Sequence, residues 1–289
     1  MKSIRRKILS AFSGVGLFLS ACSDSTLPEY PKLGPLRVLA LTANTPEVTA
    51  AGAVTLTPLI SDVDGAGRTL AWTTEACMDP GVSVGATPSC ESALDRVIVG
   101  GAGAGSAVVG ASANAWTATL PAITVNVPVA FATAFSLLPT VNQFNGVAYI
   151  VVFRITATNG DSVTAFKRIV LTTRTAGDVN TNPTFTDILA DGATLAALPT
   201  AKTSLSASFS GMQGSYPALR NDGSSTTLTE EATITWFFSD GEYERFRTTS
   251  TLTTNEWTPP TSAPAGRGVV VVGVIRDGRG GDAAIVRAL

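Results

Sequence analysis

Tyr149-Ile150-Val151-Val152-Phe153-Arg154-Ile155, then Asn159-Gly160, then the run from Val163 to Leu171, is the stretch that decides the fold class. The first run is apolar and rich in β-branched and aromatic residues, the composition of a buried strand. Asn-Gly is the dipeptide favoured in tight hairpins, because both residues tolerate positive φ. The return run supplies the partner strand. Short strands of this kind, separated by turn signals, make a β-sandwich.

The same grammar extends upstream. Val54, Leu56 and Leu59 alternate with Thr55 and Thr57 and end at Ser61-Asp62-Val63-Asp64-Gly65. Leu70 and Trp72 alternate with Thr69 and Thr73. Gly100 to Ser106 is a Gly/Ala tract with side chains too small to pack a core, read as a flexible loop. Ala118 to Phe135 reads as short strands broken at Pro121 and Pro128. Downstream, Arg174 to Pro183 has the polarity of a linker, and then the pattern repeats. Leu205, Ala207 and Phe209 alternate with serines, and Ile234, Trp236 and Phe238 alternate with Thr233, Thr235 and Phe237. Val269 to Ile275 is continuous and apolar, and Arg276-Asp277-Gly278-Arg279-Gly280-Gly281 turns it into Ala283 to Val286. Each half has an early alternating strand, a tryptophan strand and a late apolar hairpin, so the expectation is two copies of one sandwich plan with Trp72 and Trp236 in similar core places. The boundaries follow: one sandwich over 36–175, a linker over 176–183 and a second sandwich over 184–289.

The N-terminus has a different character. Lys2, Arg5, Arg6 and Lys7 precede an apolar run from Ile8 to Leu19. A basic start followed by an apolar stretch too short to span a bilayer is a secretory signal. It ends in Leu19-Ser20-Ala21-Cys22, which resembles the lipobox of bacterial lipoproteins. That resemblance implies cleavage after residue 21, a diacylglycerol on Cys22 and a membrane anchor made of lipid. Ser23 stands where an aspartate favours inner-membrane retention in enteric bacteria, so the expected address is the cell envelope, with the outer membrane favoured. Residues 22–35, with three prolines after the cysteine, read as an extended tether.

Composition narrows the functional classes. Four of the 20 basic residues and none of the 22 acidic ones lie in residues 1–21, which leaves the rest of the chain with a net charge of −6. Nucleic-acid affinity comes mainly from Lys and Arg neutralising phosphates, so nucleic acid is not an expected partner. Cys77 and Cys90 remain once Cys22 takes the lipid. In an exported chain they are expected to form a disulfide, worth roughly 3 kcal/mol in the chain-entropy model.

Trp257-Thr258-Pro259-Pro260, Ala265-Gly266, the valine strand and the turn from Arg276 to Gly281 together resemble the end of bacterial immunoglobulin-like and polycystic-kidney-disease-like domains, small sandwiches repeated on exported proteins. The first half is similar to N-terminal regions of lipoproteins from predatory and gliding proteobacteria. The motifs are Leu36-Arg37-Val38-Leu39, Pro46-Glu47-Val48, the stretch from Cys77 to Cys90, and the segment from Lys167-Arg168 to Asn182-Pro183. The resemblance covers most of the chain beyond the signal. It implies an all-β fold of two tandem immunoglobulin-like sandwiches, and its motifs specify turns rather than chemistry.

With no histidine in the chain, Ser-His-Asp and Cys-His catalysis and histidine-ligated metal sites are excluded. Glu230 and Glu231, before the tryptophan strand, and Asp240, Glu242 and Glu244, after it, are the carboxylates from which a hydrolase would have to be built. Asp62 and Asp64 place hard oxygens at alternate positions, a weak calcium candidate beside the simpler reading of an Asp-Gly turn. Phe237, Tyr243 and Trp257 would form the platform of a carbohydrate-binding module if they shared an exposed strip. The leading expectation is a non-enzymatic envelope protein without cofactor, anchored to the membrane by lipid and binding an envelope protein or glycan. Its contact regions would be the loops Cys77 to Cys90, Gly100 to Ala115 and Gly211 to Thr229.

Overall fold

A computed structural model of the protein describes residues 30–65, 67–81, 86–91, 93, 95–99, 105–108, 117–120, 122–264 and 268–289. The signal, Cys22 and most of the tether lie outside the described residues, as do most of the Gly100 to Ala115 tract and the Ala265-Gly266 pair. Residues 31–289 form one compact unit.

The first half runs β1 (Arg37–Ala43), β2 (Glu47–Val48), β3 (Gly52–Ser61), β4 (Thr69–Met78), β5 (Val97–Val99), β6 (Gly105–Val108), β7 (Thr117–Thr119), β8 (Ile123–Val127), α1 (Val129–Ser136), α2 (Thr140–Asn145), β9 (Val147–Ala157) and β10 (Ser162–Leu171). The second runs β11 (Thr184–Ala190), β12 (Ala193–Thr194), β13 (Thr203–Ser210), β14 (Ser215–Leu219), β15 (Ser225–Thr229), β16 (Thr233–Phe238), β17 (Glu242–Tyr243), β18 (Arg247–Thr249), β19 (Thr254–Thr258), β20 (Val270–Arg276) and β21 (Asp282–Ala288).

Two sheets face each other in each half. In the first, β1-β3-β7, with β8 also on β3, opposes β2-β10-β9-β4-β5, and β2 adds to β10 in parallel. In the second, β12-β11-β13-β19-β17 opposes β18-β16-β20-β21. The order first-second-fifth strand on one sheet and third-sixth-seventh on the other is the immunoglobulin-like arrangement. The fold is therefore all-β, two tandem immunoglobulin-like sandwiches. The repeat expected from sequence has its counterpart in topology: β3, β4 and β9–β10 of one half match β13, β16 and β20–β21 of the other.

The two continuous apolar strands owe their composition to burial on both faces. On β9, Tyr149, Val151, Phe153 and Ile155 fill the first core. Its other face carries Ile150 and Val152, which pack against Cys77 and Cys90. The Cys77–Cys90 disulfide, with Cα atoms 5.8 Å apart, is thus a lid on the outside of the sheet as well as a crosslink. On β20, Val271 and Ile275 face the second core with Trp236, Phe238 and Trp257, while Val270, Val272 and Val274 meet Leu33, Leu39, Ala40 and Leu59 of the first half. An outer sheet face of the second sandwich is therefore sealed by the first.

Several expectations need correction. Pro31 to Leu33 is not tether: the Phe238 N–H donates to the Pro31 carbonyl at 2.9 Å and the Leu33 N–H to the Phe238 carbonyl at 2.7 Å, and Leu33 is buried. Residues 129–135 are helical, not extended. Pro128 sets an extended φ/ψ before an alanine-rich segment, and Phe131 and Phe135, one turn apart, plug the end of the core. Gly105–Val108 of the Gly/Ala tract is a strand paired with β4. Trp236 and Trp72 differ in depth. Trp236 is fully buried opposite Gly273, whereas Trp72 is half-buried opposite Ile155, whose side chain occupies the equivalent space.

Gly273 shows how tightly that core is filled. A Cβ there would come within 2.6 Å of the Phe185 ring. Gly273→Ala is expected to destabilise the protein by about 1–3 kcal/mol through overpacking. Gly52→Ala, at a position with open space around it, is expected to stay within about 0.5 kcal/mol of wild type. Urea unfolding of the two variants checks the difference.

Candidate functional site

The connection between the halves is the most elaborately bonded part of the molecule. Glu47, on the two-residue β2, is buried with one carboxylate oxygen on Arg174 Nη1 at 2.9 Å. The other oxygen accepts from Arg279 Nη2 at 2.9 Å and from the Asn180 N–H at 3.0 Å. Arg279 comes from the β20–β21 turn. It also donates to Glu230 Oε1 at 2.9 Å, to the Asp178 carbonyl at 2.8 Å and to the Gln213 side chain. Its guanidinium lies 4.0 Å over the Tyr216 ring, and Arg174 stacks on Tyr216 and Phe144. The side chains of Arg279, Glu47 and Glu230 are at most 5% exposed, so a single guanidinium neutralises parts of two carboxylates away from water.

Further bonds surround this centre. Lys167 Nζ reaches Asp282 at 2.9 Å and the Gly280 carbonyl at 2.6 Å. Asn182 donates to the Ala43 carbonyl and accepts from the Asp282 N–H. Asn145 of α2 pairs with both backbone groups of Leu219 on β14. The turn itself is built around Asp277, which accepts from the N–H groups of Arg279 and Gly281 and from Asn180 Nδ2. Burial holds the Asp277 carboxyl above the usual carboxylate range and Glu230 adds to the rise, while the Asn180 amide and the two N–H groups pull it back. Gly281 has to be glycine here, because a Cβ would meet Asp277 Oδ2 at 2.1 Å.

A groove of about 470 Å³ opens beside this clasp. Val38 to Leu41 of β1 and Ala165 to Arg168 of β10 line its length, and Arg276 with residues 278–282 closes one side. Arg168 is held by Asp79 at 2.5 Å and stacks on Phe166. Arg276 touches only neutral acceptors, Thr235 Oγ1 at 3.3 Å and the Leu39 carbonyl at 3.4 Å. Among the described residues it pairs with no carboxylate.

The residues singled out from sequence fall elsewhere. Asp62 is gripped by Arg68, Oδ2 on Nε at 2.7 Å and Oδ1 on Nη2 at 2.9 Å, and the same arginine reaches Asp161 at 2.9 Å. The oxygens of Asp62 thus serve an ion pair that ties two loops together. The Asp64 N–H donates to the Gly34 carbonyl at 2.9 Å, and no group of three or more acids or cysteines fit for a metal occurs among the described residues. Of the carboxylates considered for hydrolysis, Glu230 is spent on Arg279, and Glu231, Glu242 and Glu244 are exposed. Asp240 lies half-buried, its carbonyl accepting from Trp257 Nε1 at 3.2 Å. The aromatic strip is absent. Trp257 is fully buried, Phe237 packs against the first half and Tyr243 stacks on Phe238 at 5.2 Å. Gly211 to Thr229 is a docked hairpin, β14–β15, rather than a mobile loop. Sequence reading missed Glu47, Arg174 and Arg279 as partners. Their only signal was charge set beside apolar strands, which a turn or linker explains equally well.

No family model and no curated protein matches the chain. Among solved structures, it is similar to native Escherichia coli alpha-2-macroglobulin at 10% identity with a TM-score of 0.27, covering 88% of this chain and 16% of that one. It is similar to the sporulation control protein Spo0M of Bacillus subtilis at 10% identity and a TM-score of 0.29, covering 89% and 91%. A Salmonella alpha-2-macroglobulin gives 10% identity and 0.26, covering 89% and 17%. The chain thus spans about a sixth of the macroglobulins' length. The class of protein defined by its own sheets is a tandem immunoglobulin-like sandwich protein with an ionic clasp between the sandwiches.

Arg279→Ala would leave Glu47 and Glu230 buried without their shared cation, at an expected cost of about 3–5 kcal/mol in urea unfolding. Limited proteolysis is expected to spare residues 174–183 in the wild type, where Arg174 and Asn180 are buried, and to cut there in the variant.

Proposed function

We propose that this protein is a bacterial lipoprotein of the cell envelope with a non-catalytic binding or scaffolding role. The lipobox-like Leu19-Ser20-Ala21-Cys22 after a basic and apolar leader carries the reading of export and anchoring. A diacylglycerol on Cys22 and an acyl chain on its amine would hold the chain to a membrane, since two chains anchor stably where one does not. The outer membrane is the favoured address, and residues 22–30 are the tether.

The Arg279 clasp carries the reading of the folded part. Ionisable groups that could be arranged for proton transfer are instead spent on one another, which is the economy of a rigid spacer. A sandwich pair with a fixed mutual orientation suits presentation of a surface to an envelope protein. The glycan alternative has lost the aromatic platform on which it rested. The resemblance of the first half to lipoproteins of predatory and gliding proteobacteria belongs to the same reading.

Radioactive palmitate is expected to label the wild type in a Gram-negative host and not the Cys22→Ser variant, which should accumulate without partitioning into detergent. Undiminished labelling of that variant would refute the lipid anchor. Affinity purification of the lipidated protein from solubilised envelopes is expected to retain a specific envelope partner.

A further inference from the structure

We propose that the groove between β1, β10 and the β20–β21 turn binds an extended acidic peptide segment, with a partner carboxylate on Arg276. The proposal rests on the binding role above and names the site and the chemistry of its ligand.

Three observations meet in this groove. Its shape is elongated: four consecutive residues of β1 and four of β10 run along it, a length of about 13 Å, which matches roughly four residues of extended chain. Its volume of about 470 Å³ accommodates a few side chains rather than a folded element. One flank is an incompletely covered sheet edge. The Val170 N–H donates to the Pro46 carbonyl, and β2 pairs only with Val170 and Leu171. Arg168 and Phe166 carry their N–H and C=O groups to the same side as Val170, beyond the reach of β2. An extended peptide is the ligand that uses such groups.

Charge completes the argument. Lys167, Arg168, Arg276 and Arg279 line the groove against a single acid, Asp282. Lys167 is spent on Asp282, Arg279 on Glu47 and Glu230, and Arg168 on Asp79. Arg276 alone keeps its charge uncompensated, held in place by two long bonds to neutral oxygens. A carboxylate arriving there would gain a charge-assisted pair without displacing an existing one. Phe166, 37% exposed, with Val38 and Ala165 provides apolar surface for the residues flanking that carboxylate.

The test uses the mature lipidated protein in detergent and fluorescein-labelled hexapeptides that alternate valine with glutamate, with lysine or with glutamine. Anisotropy is expected to show saturable binding of the glutamate peptide alone. Arg276→Gln is expected to weaken it about tenfold or more while leaving the melting temperature unchanged. Equal binding of the three peptides, no saturation up to about 1 mM, or undiminished binding by the variant would overturn the proposal. Free glutarate binding as tightly as the hexapeptide would mark a small-anion site and overturn the peptide assignment. If the wild type retains envelope partners yet binds no acidic peptide, the groove assignment fails and the binding role stands. If it retains no partner, the broader reading fails.

Discussion

The structure depends on keeping one buried guanidinium satisfied. Arg279 sits almost fully out of water, and its neutralisation requires β2, the inter-sandwich connection, the β14–β15 hairpin and the β20–β21 turn to be in place together. A buried ion pair gains little net stability over a well-packed apolar core, because desolvation offsets most of the attraction. What it supplies here is orientation. A sliding or rotated arrangement of the sandwiches would strand Glu47 or Glu230 without a cation, whereas an apolar contact would tolerate such a shift.

The apolar part of the junction complements this constraint. Val270, Val272, Val274 and Phe237 bring a flat valine-rich face, and Leu33, Leu39, Ala40 and Leu59 cover it. Hydrophobic burial is non-directional, so this face supplies attraction while the ionic clasp supplies register. The contacts bracket β16. Pro31 to Leu33 meets its Phe238 end, and the clasp lies past its Thr233 end, where Arg276 pairs across the sheet. The two sandwiches therefore meet along the length of a strand rather than at a single hinge.

The fold was legible because its strands carry strong local signals. The runs at 149–155 and 269–275 read directly as buried strands, and Asn159-Gly160 as a turn. Those same runs also held a tertiary message. Continuous rather than alternating apolar residues mean that both faces are covered, by a disulfide-closed segment on β9 and by the other sandwich on β20. The helix after Pro128 was missed because valine and phenylalanine suit strands equally well, and Phe131 and Phe135 declare helical spacing only once the core end needs closing. The clasp was illegible for a more basic reason. Its members, Glu47, Arg174, Glu230 and Arg279, are spread over more than two hundred residues, and each alone looks like an ordinary solvated charge. The aromatic strip misled in the opposite way. Alternation assigned Phe237 to the solvent side of β16, and only the packing of the sandwiches shows that this side is buried.

Hydrogen exchange at the Asn180 amide tests the central claim most directly, because that N–H donates to Glu47 at the middle of the clasp. The account predicts that Asn180 exchanges only with global unfolding, at the rate of core amides such as those of Val151 and Val272. Exchange of Asn180 at the rate of an exposed loop, while those core amides remain protected, would show that the clasp opens freely and would contradict the account.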